Sequence, residues 1–153
     1  MSDKRETEAV EYAITKCAKA AGPLLPMLHA IHDELGYVPE LAVHRLADAL
    51  NISRAEVHGT ITFYHDFRSH PPGRHVLKVC RAEACQSMGV DALVDHVKAK
   101  LGCDFHETSK SGVTLEAVYC LGNCAIAPSV LLDGKLHGRV TKERFDELEK
   151  EMK

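Results

Sequence analysis

The chain changes its hydrophobic period once, at "SHPPGRH" (residues 69–75), and that change limits it to two unlike halves. Before it, apolar residues recur every three or four positions. Val10, Ala13, Ile14 and Cys17 share one helical face, as do Leu24, Leu28, Ile31 and Leu35. Ala42, Leu46, Ala49 and Leu50 follow, then Val57, Ile61 and Tyr64, so the first half predicts four short amphipathic helices. Gly22-Pro23 and the stretch from Gly36 to Pro39 punctuate them, and Ser53 with Glu56 three residues later forms a capping box. Pro71-Pro72 followed by Gly73 favours an extended connector. The expected division is a helical domain over residues 1–68 and a second domain over 73–153.

Beyond the connector the periods mix. "HVLKVC" is a short strand-like run, Val90, Leu93, Val94, Val97 and Leu101 make a helical stripe, and "VTLEAVYC" alternates as a strand does. Asp133-Gly134 between two apolar runs signals a hairpin, and Thr141 caps a last helix carrying Phe145, Leu148 and Met152. The order reads β-α-β-β-α, and the fold class is α+β. A right-handed crossover makes strands 75–80 and 113–120 parallel. Their C-terminal ends then share one sheet edge, with Cys80, Cys85, Cys120 and Cys124 all beside it.

A formal charge of -3 and the lack of a basic block give no footprint for nucleic acid. The start "MSDKRETEAVEY" is charged, and no later apolar run is long enough to span a bilayer, so a soluble cytoplasmic protein is expected. Six cysteines in such a chain favour a metal or redox site over disulfides.

Cys80 and Cys85 are separated by four residues, Cys120 and Cys124 by three. Four thiolates at one edge call for a metal, either tetrahedral zinc or an iron–sulfur cluster. Structural zinc commonly uses tighter pairs with two intervening residues, and small-residue loops such as "RAEAC" and "LGNCAIAPS" let backbone N–H groups approach cluster sulfur. The spacing favours a [2Fe-2S] cluster and leaves zinc, in an interaction module, as the alternative. A Rieske centre needs two histidines, which neither loop has, and a thioredoxin-type reductase needs C-x-x-C.

The motif C-x4-C, then C-x3-C followed by Ala127-Pro128, resembles the thioredoxin-like [2Fe-2S] subunits of respiratory complex I, NAD-linked hydrogenases and NAD-dependent formate dehydrogenases. "LLPMLHAIHDELGYVP", "ISRAEVHGTITFYHDF", "GRHVLKVCRAEACQ" and "VYCLGNCA" carry the likeness from the first helices to the second cysteine pair. Within the family, "RAEVHG", "CRAEACQ" and "FHET" are most similar to the γ subunit of the molybdenum-dependent, NAD-reducing formate dehydrogenase. The resemblance implies a helical docking domain, then a thioredoxin-like domain holding one [2Fe-2S] cluster on Cys80, Cys85, Cys120 and Cys124. It further implies an FMN- and NAD-binding β subunit and a molybdenum-containing α subunit as partners, which carry FMN, the molybdenum cofactor and further iron–sulfur clusters. Formate would be oxidised on the α subunit and NAD+ reduced at the flavin. The equivalent subunit of complex I or a hydrogenase is the alternative. No Rossmann fingerprint is present, so this chain reads as a relay without catalytic residues of its own.

Cys17, on an apolar face, and Cys103, without a partner spacing, read as packing residues. Arg81 and Glu83 in the first cysteine loop read either as charges serving the cluster or as solvated loop residues. Phe63, Tyr64 and Phe67 read as helix and inter-domain core rather than as a docking patch.

Overall fold

The computed structural model describes residues 2–152 and divides into two compact units that meet between Pro71 and Pro72. The first holds helices α1 (Ser2–Cys17), α2 (Leu24–Leu35), α3 (Glu40–Leu50) and α4 (Arg54–Phe63). Their apolar stripes close on one core, where Val10, Ala13, Leu28, Ile31, Leu46 and Val57 are buried. Glycine ends α2 because Gly36 takes φ 80°, a left-handed cap whose N–H reaches the His32 carbonyl at 2.7 Å. Both halves of the capping box form at α4. The Glu56 N–H donates to Ser53 Oγ at 3.2 Å and the Ser53 N–H to Glu56 Oε2 at 2.8 Å.

Two apolar assignments in this unit need correction. On α3 the buried alanine beside Ala42 and Leu46 is Ala47, while Ala49 is exposed in the last turn, just before Asn51 reverses the chain at φ 52°. Leu50 and Ile52 beside it still pack on the core, so it is the face carrying Ala49 that turns to solvent. On α4 the helix stops at Phe63, and Tyr64 is its extended cap, so neither continues the buried stripe. Phe63 is 73% exposed and Tyr64 42%, while Phe67 is buried, its ring edge-on to His29 at 5.2 Å. Beside the two exposed rings, Leu24, Leu25, Leu50 and Ile52 line an apolar groove of about 770 Å³.

The second unit is a five-stranded sheet. It comprises β1 (His75–Cys80), β2 (Glu107–Thr108), β3 (Val113–Val118), β4 (Val130–Leu132) and β5 (Lys135–His137), in the order β2-β3-β1-β4-β5. Helices α5 (Glu83–Ser87) and α6 (Val90–Leu101) fall between β1 and β2, and α7 (Lys142–Glu151) follows the sheet. Strands β1 and β3 are parallel, with His75 opposite Val113 and Cys80 opposite Val118, and every other pairing is antiparallel. Leu77, Val79, Leu115, Val97, Phe145 and Leu148 bury in its core, each side chain contributing roughly 1.5–3 kcal/mol. Asp133 at φ 49° and Gly134 at φ 81° make the β4–β5 turn, whose two left-handed residues match strand twist.

Strand β3 ends at Val118, two residues short of the expected end. Its alternation also fails. Thr114 is buried, bonded by its hydroxyl to the Gly73 N–H (2.7 Å) and Thr108 Oγ1 (2.8 Å), whereas Tyr119 is 75% exposed. The extra strand β2, only two residues long, has no period by which the sequence could reveal it. Among the described residues, no helix is long and apolar enough to cross a membrane.

Candidate metal centre

The parallel pairing of β1 with β3 carries both strand ends to one edge, and the register puts Cys80 beside Val118, where the chain turns towards Cys120. Cys80 is the last residue of β1 and buried. Cys85 is also buried, and it lies within α5 rather than in a loop. Both belong to the core of this unit, so their positions are fixed by the packing that fixes the sheet. Cys120 and Cys124 are exposed. Cys120 sits at φ 119° and Gly122 at φ 73°, two positive-φ residues that bend the loop, and Cys124 opens the short 3₁₀ turn Cys124–Ile126.

The thiols stand as two pairs. Cys80 and Cys85 are hydrogen-bonding neighbours, and so are Cys120 and Cys124. Cys124 is also near enough to Cys80 and Cys85 for like charges to be felt between them. Among the described residues, no three His, Cys, Asp or Glu side chains close round a single ion position.

Backbone amides surround the sulfurs. Burial pushes the Cys80 thiol up, but the amide of Ala82, the Cys85 thiol and the amides of Leu121 and Cys120 together hold it below the usual thiol range. Burial pushes Cys85 up, opposed by the Ser129 amide and reinforced by Cys80. Cys124 is raised by its hydrogen bond with Cys120 and by the charge there. The Gly122 N–H donates to Cys120 Sγ at 3.3 Å. A set of four thiols in which one is held below the usual thiol range and several N–H groups point at sulfur suits a metal–thiolate centre, because metal binding releases the thiol protons. The residues fit a [2Fe-2S] cluster, with two thiolates for each iron.

Several supports lie outside the cysteine spacing that marks the site in the sequence. Ser129 is buried, its carbonyl accepts the Cys80 N–H at 3.1 Å, and its hydroxyl accepts from Asn123 Nδ2 at 3.1 Å. The Ala127–Pro128 bond is cis, which the sequence leaves undetermined. Gln86 Nε2 donates to the Arg81 carbonyl at 2.9 Å, so the first loop is ordered by Gln86, while Glu83 lies exposed at the start of α5. The Arg81 guanidinium pairs with Asp91 at 3.0 Å and stacks over Phe105, 5.6 Å from the ring centre. Cys103 is half-buried against the sheet core and Cys17 half-buried against the helical one. Three of the ten histidines pair with carboxylates, His75 with Asp133, His96 with Asp146 and His106 with Glu116.

A family profile described as thioredoxin-like [2Fe-2S] ferredoxin matches residues 10–153. The chain is 31% identical over 144 residues to a subunit of the NADH-quinone oxidoreductase of Escherichia coli strain K12, covering 94% of this chain and 87% of that one. It is 31% identical over 135 residues to a subunit, HndA, of the NADP-reducing hydrogenase of Solidesulfovibrio fructosivorans, covering 88% and 78%. The crystal structure of an air-oxidized NAD+-reducing [NiFe]-hydrogenase superposes with a TM-score of 0.69 at 25% identity. The match takes in 84% of this chain and 22% of the hydrogenase chain, about a fifth of that longer polypeptide.

Proposed function

We propose, from the premise that the chain belongs to the thioredoxin-like [2Fe-2S] ferredoxin family, that it is an electron-transfer subunit holding one [2Fe-2S] cluster on Cys80, Cys85, Cys120 and Cys124. The observation that carries the assignment of ligands is the gathering of these two thiol pairs on one sheet edge, with amides donating to sulfur. Family membership decides between the two metals that the spacing left open, in favour of iron and sulfide. When bound, the cluster supplies one-electron chemistry, at a potential set by its charge, its hydrogen bonds and its exposure. The chain's own residues hold and insulate it. The core fixes Cys80 and Cys85, and the turn at residues 120–129 presents Cys120 and Cys124 at the surface.

The partner in this reading is an FMN- and NAD-binding subunit, and the catalytic sites lie on the partners. The helical unit serves as the docking domain, a role supported by the exposed Phe63 and Tyr64 beside the apolar groove. The host is an NAD-dependent molybdenum formate dehydrogenase, supported by the segments "RAEVHG", "CRAEACQ" and "FHET". A second host, complex I or an NAD-linked hydrogenase, is supported by the relatives themselves, which are subunits of an NADH-quinone oxidoreductase and of an NADP-reducing hydrogenase.

Purification of the native complex separates these readings. Formate, hydrogen and NADH are offered in turn, and the visible absorption and EPR signal of this subunit are followed. Reduction by formate supports the first host, and reduction by hydrogen or by NADH alone moves the assignment to the second. A colourless protein that carries zinc overturns the cluster itself.

A further inference from the structure

Gly138 lies between β5 and α7, and its φ is outside the left-handed region, so its backbone conformation is open to any residue. What requires a glycine there is contact. A Cβ at this position would lie 2.5 Å from Cδ1, 2.6 Å from Cγ1 and 2.8 Å from the carbonyl oxygen of Ile126. By contrast, Gly122 and Gly134 have open space where a Cβ would stand. Ile126 closes the 3₁₀ turn that Cys124 opens. The next two residues bind the same segment, since the Arg139 N–H donates to the Ile126 carbonyl at 2.7 Å and the Val140 N–H to the Pro128 carbonyl at 3.0 Å. Arg139 does so at φ 50°, a conformation that residues with a Cβ adopt only at a cost. Three consecutive residues are therefore committed to one short turn.

We propose that Gly138, Arg139 and Val140 form a positioning strap for the second thiol pair. Van der Waals contact at Gly138 sets how closely the strap lies on Ile126, and the two amides lock that distance. The strap thereby fixes where Cys124 stands relative to Cys120 and to the buried pair. Cys80 and Cys85 need no such brace, because the sheet core holds them. Cys124 lies in an exposed turn, where a small displacement changes both ligand geometry and access of water to sulfur. The inference rests on the reading of Cys124 as a ligand.

The test uses the full chain with its cluster reconstituted, and compares wild type, Gly138→Ala and Gly138→Ala/Ile126→Ala. The readouts are the EPR g-values of the reduced protein and the rate of iron loss to a chelator. Gly138→Ala should shift the g-values and lose iron about tenfold faster, as overpacking against a fixed neighbour implies. The double variant removes both side-chain contacts and keeps the 2.8 Å one to the Ile126 carbonyl, so it should move both readouts part of the way back. A Gly138→Ala protein with wild-type g-values and iron loss overturns the proposal, as does a double variant no better than the single one. Should Gly138→Ala fail to assemble a cluster, recovery of the signal in the double variant supports the strap and continued failure overturns it. A Cys124→Ala protein that keeps a wild-type cluster would instead sink the ligand reading, whatever the strap variants do.

Discussion

Asn123 and Ser129 bracket the second thiol turn, and exchanging each for alanine should give unequal results. Ser129 is 1% exposed. Its hydroxyl accepts from Asn123 Nδ2 at 3.1 Å and donates to the Asn123 carbonyl across a long 3.5 Å. Asn123→Ala leaves that buried oxygen with only the long contact, and an incompletely bonded buried group costs about 1–3 kcal/mol. Ser129→Ala removes the demand together with the group. The Asn123 amide, half-buried, then turns to water, and the loss is that of an ordinary hydrogen bond, roughly 0.5–1.5 kcal/mol. Each kcal/mol moves the midpoint of a domain of this size by about 4–8 °C. Thermal unfolding of the cluster-free protein, followed through the transition of the sheet unit, should rank wild type above Ser129→Ala and Ser129→Ala above Asn123→Ala. The double variant should match Ser129→Ala alone, because no hydroxyl is left to orphan. A Ser129→Ala protein less stable than Asn123→Ala, or a double variant showing the full sum of the two losses, would refute the reasoning.

Alanine at Cys80, Cys85, Cys120 or Cys124 should abolish or destabilise the cluster, and alanine at Cys17 or Cys103 should not; iron and sulfide content with EPR of the reduced protein checks both. A fragment beginning at Pro72 should keep the [2Fe-2S] spectrum and bind the flavin subunit much more weakly than the full chain does; equal binding would remove the docking role from the helices. His96, foremost, and Lys100 hold the Asp146 carboxyl below the usual carboxylate range against the opposing effect of burial. A depressed acid stabilises the fold above its unfolded pKa of about 3.9 and loses that contribution as pH falls through the folded value, so Asp146→Asn should flatten the acid limb of the stability curve below about pH 4.

The sequence exposed those features of the fold that depend on side-chain period. Val90, Leu93, Val94, Val97 and Leu101 all bury as one stripe on α6, and Asp133-Gly134 forms its turn, because each signal is local and nothing distant competes with it. It failed where an element's end decides the outcome. Tyr64 has the right spacing for the α4 stripe, yet the helix ends one residue earlier, and Phe67, outside the helix, is buried instead. On β3, Thr114 enters the core because Gly73, forty-one residues away, supplies a donor, which a window of eight residues does not contain. Strand β2 exists only because β3 lends it a partner.

The candidate site divides along the same line, and its division has a chemical consequence. Four thiols were legible as a candidate ligand set because metal chemistry selects the side chain itself, wherever the fold puts it. The groups around them were not, since Ala82, Leu121, Gly122 and Ser129 act through the N–H that almost every residue owns. What distinguishes those amides is direction, and direction comes from local backbone: φ 119° at Cys120, φ 73° at Gly122, the 3₁₀ turn at Cys124. The buried pair inherits its geometry from the sheet core, so substitutions that disturb it should disturb folding as well. The exposed pair is held instead by hydrogen bonds in residues 120–129 and 138–140, anchored at the buried Ser129 and Val140, while the turn itself stands exposed. Changes confined to the exposed positions Gly122, Ala125 and Ile126 can therefore alter how sulfur is held and hydrated while the sheet stays folded, which makes the outer turn, on the proposed ligand assignment, the part of the chain where a reduction potential can be adjusted with least cost to the fold.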